Sequence, residues 1–461
     1  MTTAIRDRLP RLTKFFYGIS DFGFACTDTT MQVLFAIFLT DVVGVKAIYA
    51  AAAIFIGRTW DYINDPLIGY LSDRTRSRWG RRRIFLLFGF IPFGLMFSMM
   101  WYRPPTDNQF LLAAYYALAY FLFDTSYTFV TMPYSALTPE LTQDYDERTS
   151  LTSFRMAFSI IGSLVAFTVP LAIIGTMTPG NTGHVFTMGL IFGTVCALPL
   201  LLTFFGTREK PEYYAQSQPS IRESLQAVWK NRPFLFAAGI FLFTWTAADI
   251  IQTFLLYFLK YHLNRENQSD IIMGTIFVTA LLVLPLWNWV SGKTDKRKAY
   301  IIGMIFLSAV MVTLILLPPS VSLTLVLVMS VLAGIGVSAI HVLTWAIIPD
   351  AIEVDELTTG QRHEGIFYSL VSLFKKIASS IAIPLALLVL DRSGFISPTN
   401  QVLAPTQPAS AILAIRMMIG PLPSVLLLGG ILFAIFYPLS RSSHAKTRQE
   451  IAARHEIEPA D

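Results

Sequence analysis

The sequence predicts an all-α membrane protein with twelve transmembrane helices. Of its 461 residues, 54% are hydrophobic and 14% are charged, whereas soluble domains carry about 25% charged residues. The mean hydropathy is +0.55, and apolar segments recur along the whole chain. Each is about 20 residues or longer, which is the length that spans a bilayer. This composition indicates a polytopic membrane protein.

The predicted segments are separated by short polar connections. They lie at residues 14–40, 46–72, 84–102, 109–135, 150–176, 185–206, 232–260, 270–291, 299–318, 321–348, 365–391 and 411–439. Lysines and arginines gather in alternate connections, chiefly at residues 6–14, 74–83, 208–232 and 293–298. Because short cytoplasmic loops carry the excess of basic residues, both termini are predicted to be cytoplasmic. The net charge of +5 is then a topology signal in a cell-membrane protein, and no nucleic acid is expected.

The longest central connection divides the segments into two groups of six. It predicts an N-terminal six-helix bundle at 1–206, a cytoplasmic linker at 207–231, a C-terminal bundle at 232–440 and a cytoplasmic tail at 441–461. A short internal sequence repeat, which we call the internal echo, agrees with this division. The ten-residue strings that begin at Pro66 and Pro285 share Pro, Leu, Ser and Thr at matched positions, and Arg74 stands opposite Lys293. Parallel repeats of this kind occur in transporters built from two six-helix bundles.

The second segment carries charges at membrane depth. Asp61 and Asp65 are four residues apart, so they share one helical face with Asn64. An ionisable group at that depth costs several kcal/mol unless it is paired, hydrated or bound to an ion. Two carboxylates one turn apart repel each other unless a cation or a base lies between them. The cluster therefore predicts a small-cation site, with an ion pair to Arg58 as the structural alternative.

Polar residues also interrupt other apolar segments. Asp124, Tyr127, Thr128 and Thr131 share one face of the fourth segment. Further candidates for substrate binding or coupling are Asp28, Arg155, His341, Trp345 and the adjacent Lys375 and Lys376. For each of these, a structural ion pair or core packing is the alternative interpretation, and at most one of the two lysines faces the bundle interior.

The loop after the second segment is strongly basic. It begins with Asp73 and Arg74 and ends with three consecutive arginines. It is either an anchor in anionic headgroups or, through an ion pair of Asp73, a gate that holds the two halves together in one state. Catalytic motifs such as a nucleophile elbow, zinc-ligand spacing or a phosphate loop are not found in the sequence. Neither an enzyme nor a cofactor is therefore expected.

Several short strings resemble the glycoside–pentoside–hexuronide:cation symporters, a branch of the major facilitator superfamily that includes sodium-dependent lysolipid transporters. The strings lie at residues 40–44, 58–66, 76–80, 133–137, 154–155, 349–355 and 374–379. The resemblance covers nearly the whole chain, and the string at 58–66 is the most specific. It implies a monomeric transporter of two six-helix bundles that works by alternating access.

The resemblance also implies roles for individual residues. Asp61, Asn64 and Asp65 would bind the coupling cation, Na⁺ or H⁺, with Thr128 nearby. Arg155 and Lys376 would contact the substrate or stabilise the charge of the cation site. The loop at Asp73 and Arg74 matches the superfamily's gating signature between helices 2 and 3. As a neutral oxygen donor, Thr128 favours Na⁺, because a proton needs no coordination shell.

The sequence departs from the sugar-binding members of the family. Ala25 and Thr131 stand where those members have sugar-binding aspartates, and His341 stands where an aromatic residue stacks on sugar. The expected function is cation-coupled symport of a sugar or glycoside. The alternatives are sodium-dependent symport of a lysophospholipid or other amphiphile, which the lost aspartates favour, and a non-transporting membrane sensor or scaffold. The expected partners are the small-molecule substrate, a monovalent cation and the lipid bilayer.

Overall fold

The computed structural model describes residues 9–142, 145–209, 229–359, 364–398 and 405–439, and their regular secondary structure is helical throughout. The chain forms two compact units. The first comprises Met1–Ser217, Glu266–Asp270 and Leu387–Ala411, and the second comprises Gln218–Arg265, Ile271–Ala386 and Ile412–Asp461. Most of the predicted linker, at 210–228, and the tail at 441–461 lie outside the described residues. The predicted domain boundaries therefore stay predictions.

The first unit contains six long helices. They are α1 (Arg11–Ile37), α2 (Ala47–Arg74), α3 (Arg83–Met100), α4 (Gln109–Leu141), α5 (Tyr145–Ile174) and α6 (Thr182–Gly206). Helix α1 packs on α5 and α6, α2 packs on α4, and α3 packs on α4 and α6. The side chain of Asn108 caps α4 by accepting the backbone N–H groups of Phe110 and Leu111. The α2–α4 pair matters most here, because it carries the predicted cation-binding residues.

The other helices lie largely in the second unit. They are α7 (Arg232–Tyr257), α8 (Ser269–Lys293), α9 (Lys296–Leu316), α10 (Leu323–Thr359), α11 (Glu364–Arg392), α12 (Ala409–Ile419) and α13 (Pro421–Ile435). Helix α7 packs on α10 and α13, and α9 packs on the same two helices. The segment predicted at 411–439 corresponds to α12 and α13, which together form one stretch long and apolar enough to span a membrane and are separated by a break at Gly420. Pro421 then begins α13, where its missing N–H costs no helical hydrogen bond.

Ten helical stretches of the described chain are long and apolar enough to cross a membrane, so the protein is a multi-pass membrane protein. Helices α2 and α4 are not among the ten, although they have 28 and 33 residues. Their polar residues, which include those of the candidate site, lower the mean hydropathy. The count of twelve transmembrane helices stays a prediction.

Two features recur at corresponding places of the two units. Helix α1 continues into a π-helix at Phe38–Val43, and α7 continues into a π-helix at Phe258–His262. In addition, α2 ends at Arg74 and α8 ends at Lys293, the two residues that the internal echo aligns. The hydrophobic pattern does not predict the π-helices, which are rare and frequently lie at functional sites.

Candidate cation and substrate site

Helix α2 presents Asp61, Asn64 and Asp65 on the side that packs against α4. Asn64 is 1% exposed, while both aspartates are half-buried. The side-chain amide of Asn64 donates from Nδ2 to the main-chain oxygen of Asp124 at 3.2 Å and to its carboxylate Oδ2 at 3.3 Å. Both acceptors belong to α4, so they fix which end of the amide faces that helix.

The opposite atom of the same amide, Asn64 Oδ1, is buried and receives no hydrogen bond. A buried acceptor without a donor costs about 1–3 kcal/mol. The amide cannot rotate to relieve this cost without turning its oxygen toward the acceptors of Asp124. A cation would satisfy Oδ1, because hard cations take carbonyl, carboxylate and hydroxyl oxygens as ligands.

Thr128 joins the same cluster from α4. Its Oγ1 donates to Asp65 Oδ1 at 3.2 Å, and the residue is 1% exposed. Thr128 lies one helical turn after Asp124, so α4 contacts Asn64 and Asp65 at successive turns. Three of the four predicted cation-binding residues are thus connected through α4, and Asp61 lies one turn before Asp65 on α2.

The donor set is mixed in chemistry. It offers carboxylates, an amide oxygen and a hydroxyl, and in the described part of the chain no group of three His, Cys, Asp or Glu side chains gathers to hold a metal ion.

Nearby, the guanidinium of Arg58 donates from Nη2 to Gln32 Oε1 at 2.9 Å. This contact was not foreseen, since Gln32 lies on α1.

The other predicted residues of α1 and α4 have varied surroundings. The ring of Tyr127 packs edge-on against Phe24, with the ring centroids 5.9 Å apart. The hydroxyl of Thr131 donates to the main-chain oxygen of Tyr127 at 2.9 Å, within its own helix. Asp28 is exposed on α1. Their predicted roles in substrate binding stay predictions.

Arg155 has a partner that the sequence did not reveal. It donates from Nε to Asp21 Oδ2 at 2.7 Å and from Nη2 to Asp21 Oδ1 at 3.2 Å. The hydroxyl of Tyr134 also donates to Asp21, and the guanidinium lies 4.9 Å from the centre of the Tyr134 ring. Tyr17 stacks on Tyr134 at 4.6 Å. Arg155 therefore takes part in a buried ion pair, and its predicted contact with substrate stays a prediction.

A second cluster lies in the second unit, around Trp245 of α7. His341 of α10 meets the Trp245 ring edge-on at 5.1 Å, and the indole N–H donates to Thr344 Oγ1 at 3.2 Å. Nζ of Lys375 lies 4.2 Å from the centre of the Trp245 ring. The sequence analysis favoured Lys376 as the substrate-binding lysine, which is half-buried on α11 and stays a prediction. Lys375 contacts the aromatic cluster through this ring.

Trp345 extends this cluster. It is 41% exposed, stacks on Tyr368 with 6.3 Å between ring centroids, and meets Phe241 edge-on at 4.8 Å. The predicted pair of His341 and Trp345 is thus brought together with a lysine and three further aromatic rings, those of Trp245, Phe241 and Tyr368. Such a surface suits a ligand that has both an apolar face and a polar or charged group.

The basic loop between α2 and α3 is tied within the first unit. Asp73 pairs with Arg82 at 3.0 Å, and the guanidinium of Arg74 lies 4.2 Å above the ring of Tyr70. Glu140 at the end of α4 binds both Arg81 and Arg82. The gating role of Asp73 and Arg74 stays a prediction.

Comparisons with known proteins bear on the whole chain. Residues 16–441 match the family model described as MFS/sugar transport protein. An uncharacterised symporter of Synechocystis sp. is 33% identical over 98% of both chains. The sodium-dependent lysophosphatidylcholine symporter 1-A of Danio rerio is 28% identical over 97% of this chain and 89% of its own.

The fold also matches a solved transporter. The crystal structure of the nucleoside transporter NupG has a TM-score of 0.65, covers 91% of this chain and 98% of its own, and is 13% identical. That likeness concerns the fold alone. The family expected from the sequence is confirmed, and its members here are transporters, not enzymes. The chain therefore belongs to the MFS/sugar transport protein family and is a membrane transporter of the symporter type.

Proposed function

We propose that the transporter is coupled to Na⁺, which is held by Asp61, Asn64, Asp65 and Thr128. The observation that carries this proposal is the buried Asn64 Oδ1, which has no hydrogen-bond donor while Asp124 fixes its amide group. The Thr128–Asp65 contact at 3.2 Å brings two further oxygens of the same cluster together. A bound Na⁺ satisfies these oxygens and relieves the repulsion between the two carboxylates of α2.

Na⁺ is favoured over H⁺ by the neutral ligands. A proton titrates one carboxylate and requires neither an amide oxygen nor a hydroxyl around it, whereas Na⁺ needs several oxygens at once. The relatives named sodium-dependent symporters support the same choice. In the proposed cycle, the loaded cation site favours binding of the substrate, and both leave after the bundles rock to the other side.

The first substrate class we propose is a lysophospholipid or similar amphiphile. Relatives named lysophosphatidylcholine symporters align over almost the whole chain, and Ala25 and Thr131 replace the acids expected in sugar-binding members. A sugar or glycoside is the second candidate. The exposed face of Trp345, which stacks on Tyr368, supports it, as does the description of the family model.

Other features complete the proposal. Both termini lie in the cytoplasm of a cell-membrane protein, a topology supported by the alternate clustering of lysines and arginines. The protein acts as a monomer with six membrane-spanning segments on either side of the 207–231 linker, and α12 and α13 together form the last of them.

A thermal-shift screen of the purified protein tests coupling and substrate class together. Lysophosphatidylcholine below its micellar concentration and a panel of glycosides are each added in NaCl or in choline chloride. We expect lysophosphatidylcholine to raise the melting temperature in NaCl only. The Asp65→Asn variant is the control, because a detergent-like effect of the lysolipid would persist in it. Stabilisation by a glycoside alone would reverse the order of the two substrate classes.

Binding and uptake of lysophosphatidylcholine also test the roles of Lys375 and Lys376 and the coupling to Na⁺. The sequence favours Lys376 for substrate binding, but Nζ of Lys375 lies 4.2 Å from the centre of the Trp245 ring, so we propose the reverse order: Lys375→Ala should weaken binding more than Lys376→Ala. A larger effect of Lys376→Ala would show that the aromatic cluster around Trp245 does not take part in substrate binding. Uptake into proteoliposomes is expected to depend on a Na⁺ gradient, and uptake that proceeds equally without Na⁺ would contradict the proposed coupling.

A further inference from the structure

The basic loop between α2 and α3 divides its arginines into two sets. Arg81, Arg82 and Arg83 are held inside the first unit. Their backbone N–H groups donate to the carboxylate of Glu209 at 2.6, 2.8 and 2.8 Å. The side chains of Arg81 and Arg82 bind Glu140, and that of Arg83 donates from Nε to the main-chain oxygen of Phe204 at 3.1 Å. This set fastens the start of α3 to its neighbours.

The other set points outward. Arg74, Arg76 and Arg78 are exposed, and the ion pairs of the described chain leave all three without a carboxylate. Two of them lie over exposed aromatic rings. The guanidinium of Arg74 is 4.2 Å from the ring centre of Tyr70, and that of Arg78 is 4.5 Å from that of Trp79. We call these five residues the outer basic cluster.

The second unit repeats this division at the matching position. Lys293 lies with Nζ 4.2 Å above the ring of Trp289, which is 57% exposed. The internal echo aligns Trp289 with Tyr70 and Lys293 with Arg74. Just beyond, Lys296 pairs with Asp350 at 2.6 Å, so here too an inward basic residue follows an outward one. A cation over an exposed aromatic ring is therefore a repeated feature, and does not depend on one loop.

The position of the outer basic cluster at the end of a membrane-spanning helix indicates which class of ligand it can bind. It lies at the end of α2 and precedes α3, which is long and apolar enough to span a bilayer. Aromatic rings at such ends sit at the level of the lipid headgroups, and nearby basic residues attract anionic lipids. Trp79 also packs against Phe88 of α3, with 6.0 Å between the centroids, which fixes its ring at the edge of the spanning segment.

We propose that the outer basic cluster is a binding site for the headgroup of an anionic phospholipid, independent of the cation and substrate sites. The guanidinium groups of Arg74, Arg76 and Arg78 bind the phosphate and its charge. The rings of Tyr70 and Trp79 contact the glycerol and upper acyl region, which a free phosphate ion cannot offer. The pair of Trp289 and Lys293 provides a smaller site of the same kind in the second unit.

Native mass spectrometry of the purified protein tests this site, with phosphatidylglycerol and phosphatidylcholine as probes. We expect wild-type protein to retain phosphatidylglycerol in preference to phosphatidylcholine. The triple variant Arg74→Gln, Arg76→Gln, Arg78→Gln should lose most of that preference, by about tenfold for a site built on several charge-assisted contacts. A second triple variant with lysine at all three positions should keep most of it.

The control removes exposed basic residues elsewhere. Lys46→Gln combined with Arg392→Gln takes away two exposed charges outside the cluster and should leave the preference unchanged. A melting temperature close to that of the wild type shows that the triple variant is folded. Equal retention of phosphatidylglycerol by the wild type and the glutamine triple variant would overturn the proposal. So would its displacement by inorganic phosphate, which would identify a free-anion site.

Discussion

The carboxylate of Asp21 and the amide of Asn64 are both buried in the first unit. Both oxygens of the carboxylate receive hydrogen bonds from the protein, whereas the oxygen of the amide receives none. Asp21 receives Nε and Nη2 of Arg155 and the hydroxyl of Tyr134. Asn64 donates twice to Asp124, yet its Oδ1 receives nothing. The first arrangement is closed by the chain's own residues, so it needs no ligand to satisfy its oxygens. The second leaves an oxygen for a ligand to satisfy. We call the contacts of Asp21 with Arg155 and Tyr134 the closed arrangement, and the cation cluster around Asn64 the open site.

The largest effect is expected where the closed arrangement is broken. Arg155→Ala leaves the Asp21 carboxylate buried beside two tyrosines, and loss of one partner of a buried pair costs about 3 kcal/mol or more. The melting temperature should fall strongly, and adding Asp21→Asn should recover much of the loss. Na⁺ should still stabilise the variant. Wild-type stability of Arg155→Ala would show that the pair is not structural and would favour the substrate role that the family resemblance implies.

A moderate effect is expected at the hydroxyl of the open site. Thr128→Val keeps the shape of the side chain but removes the oxygen that contacts Asp65. We expect the dissociation constant for Na⁺ to rise about tenfold, which corresponds to about 1.4 kcal/mol. Thr168→Val is the matched control, because the Thr168 hydroxyl donates within its own helix, to the main-chain oxygen of Leu164 at 3.1 Å. An unchanged Na⁺ affinity in Thr128→Val would remove Thr128 from the ligand set.

The smallest effect is expected at the residue that orients Asn64. In Asp124→Ala the side-chain acceptor of Asn64 Nδ2 is removed while the main-chain oxygen of residue 124 still accepts it, and one hydrogen bond contributes about 0.5–1.5 kcal/mol. The Na⁺ dissociation constant should therefore rise about threefold, measured by the same titration. If the loss equals that of an α2 carboxylate, Asp124 is a direct ligand, and the cluster contains three acids around the ion.

The sequence alone predicts much of the open site. Asp61, Asn64 and Asp65 share a face because helical periodicity fixes their relative directions, and the cost of charge in a membrane singles them out. Periodicity also puts Asp124 and Thr128 on one face of α4. What it does not supply is the depth at which α2 and α4 pair, so the contacts of Asn64 with Asp124 and of Thr128 with Asp65 emerge only from packing.

The closed arrangement is not visible in the sequence. Asp21 and Arg155 are 134 residues apart, and they meet because α1 packs on α5. The same limitation applies to the lysines of α11, since neighbouring residues differ by about 100° around a helix and no single-helix pattern says which one faces α7. In the basic loop, the inward arginines are separated from the outward ones by partners distant in sequence, such as Glu140 and Glu209, which the local pattern does not reveal.

The central claim is that Na⁺ binds at the open site, and calorimetric titration of the purified protein with NaCl tests it most directly. Wild-type protein and Asp107→Asn, which alters a carboxylate whose side chain is 92% exposed, should bind Na⁺ saturably. Asp65→Asn should bind none while remaining folded, because removing one of two repelling carboxylates does not destabilise the sodium-free protein. Saturable Na⁺ binding of unchanged affinity in Asp65→Asn would contradict the assignment of the site.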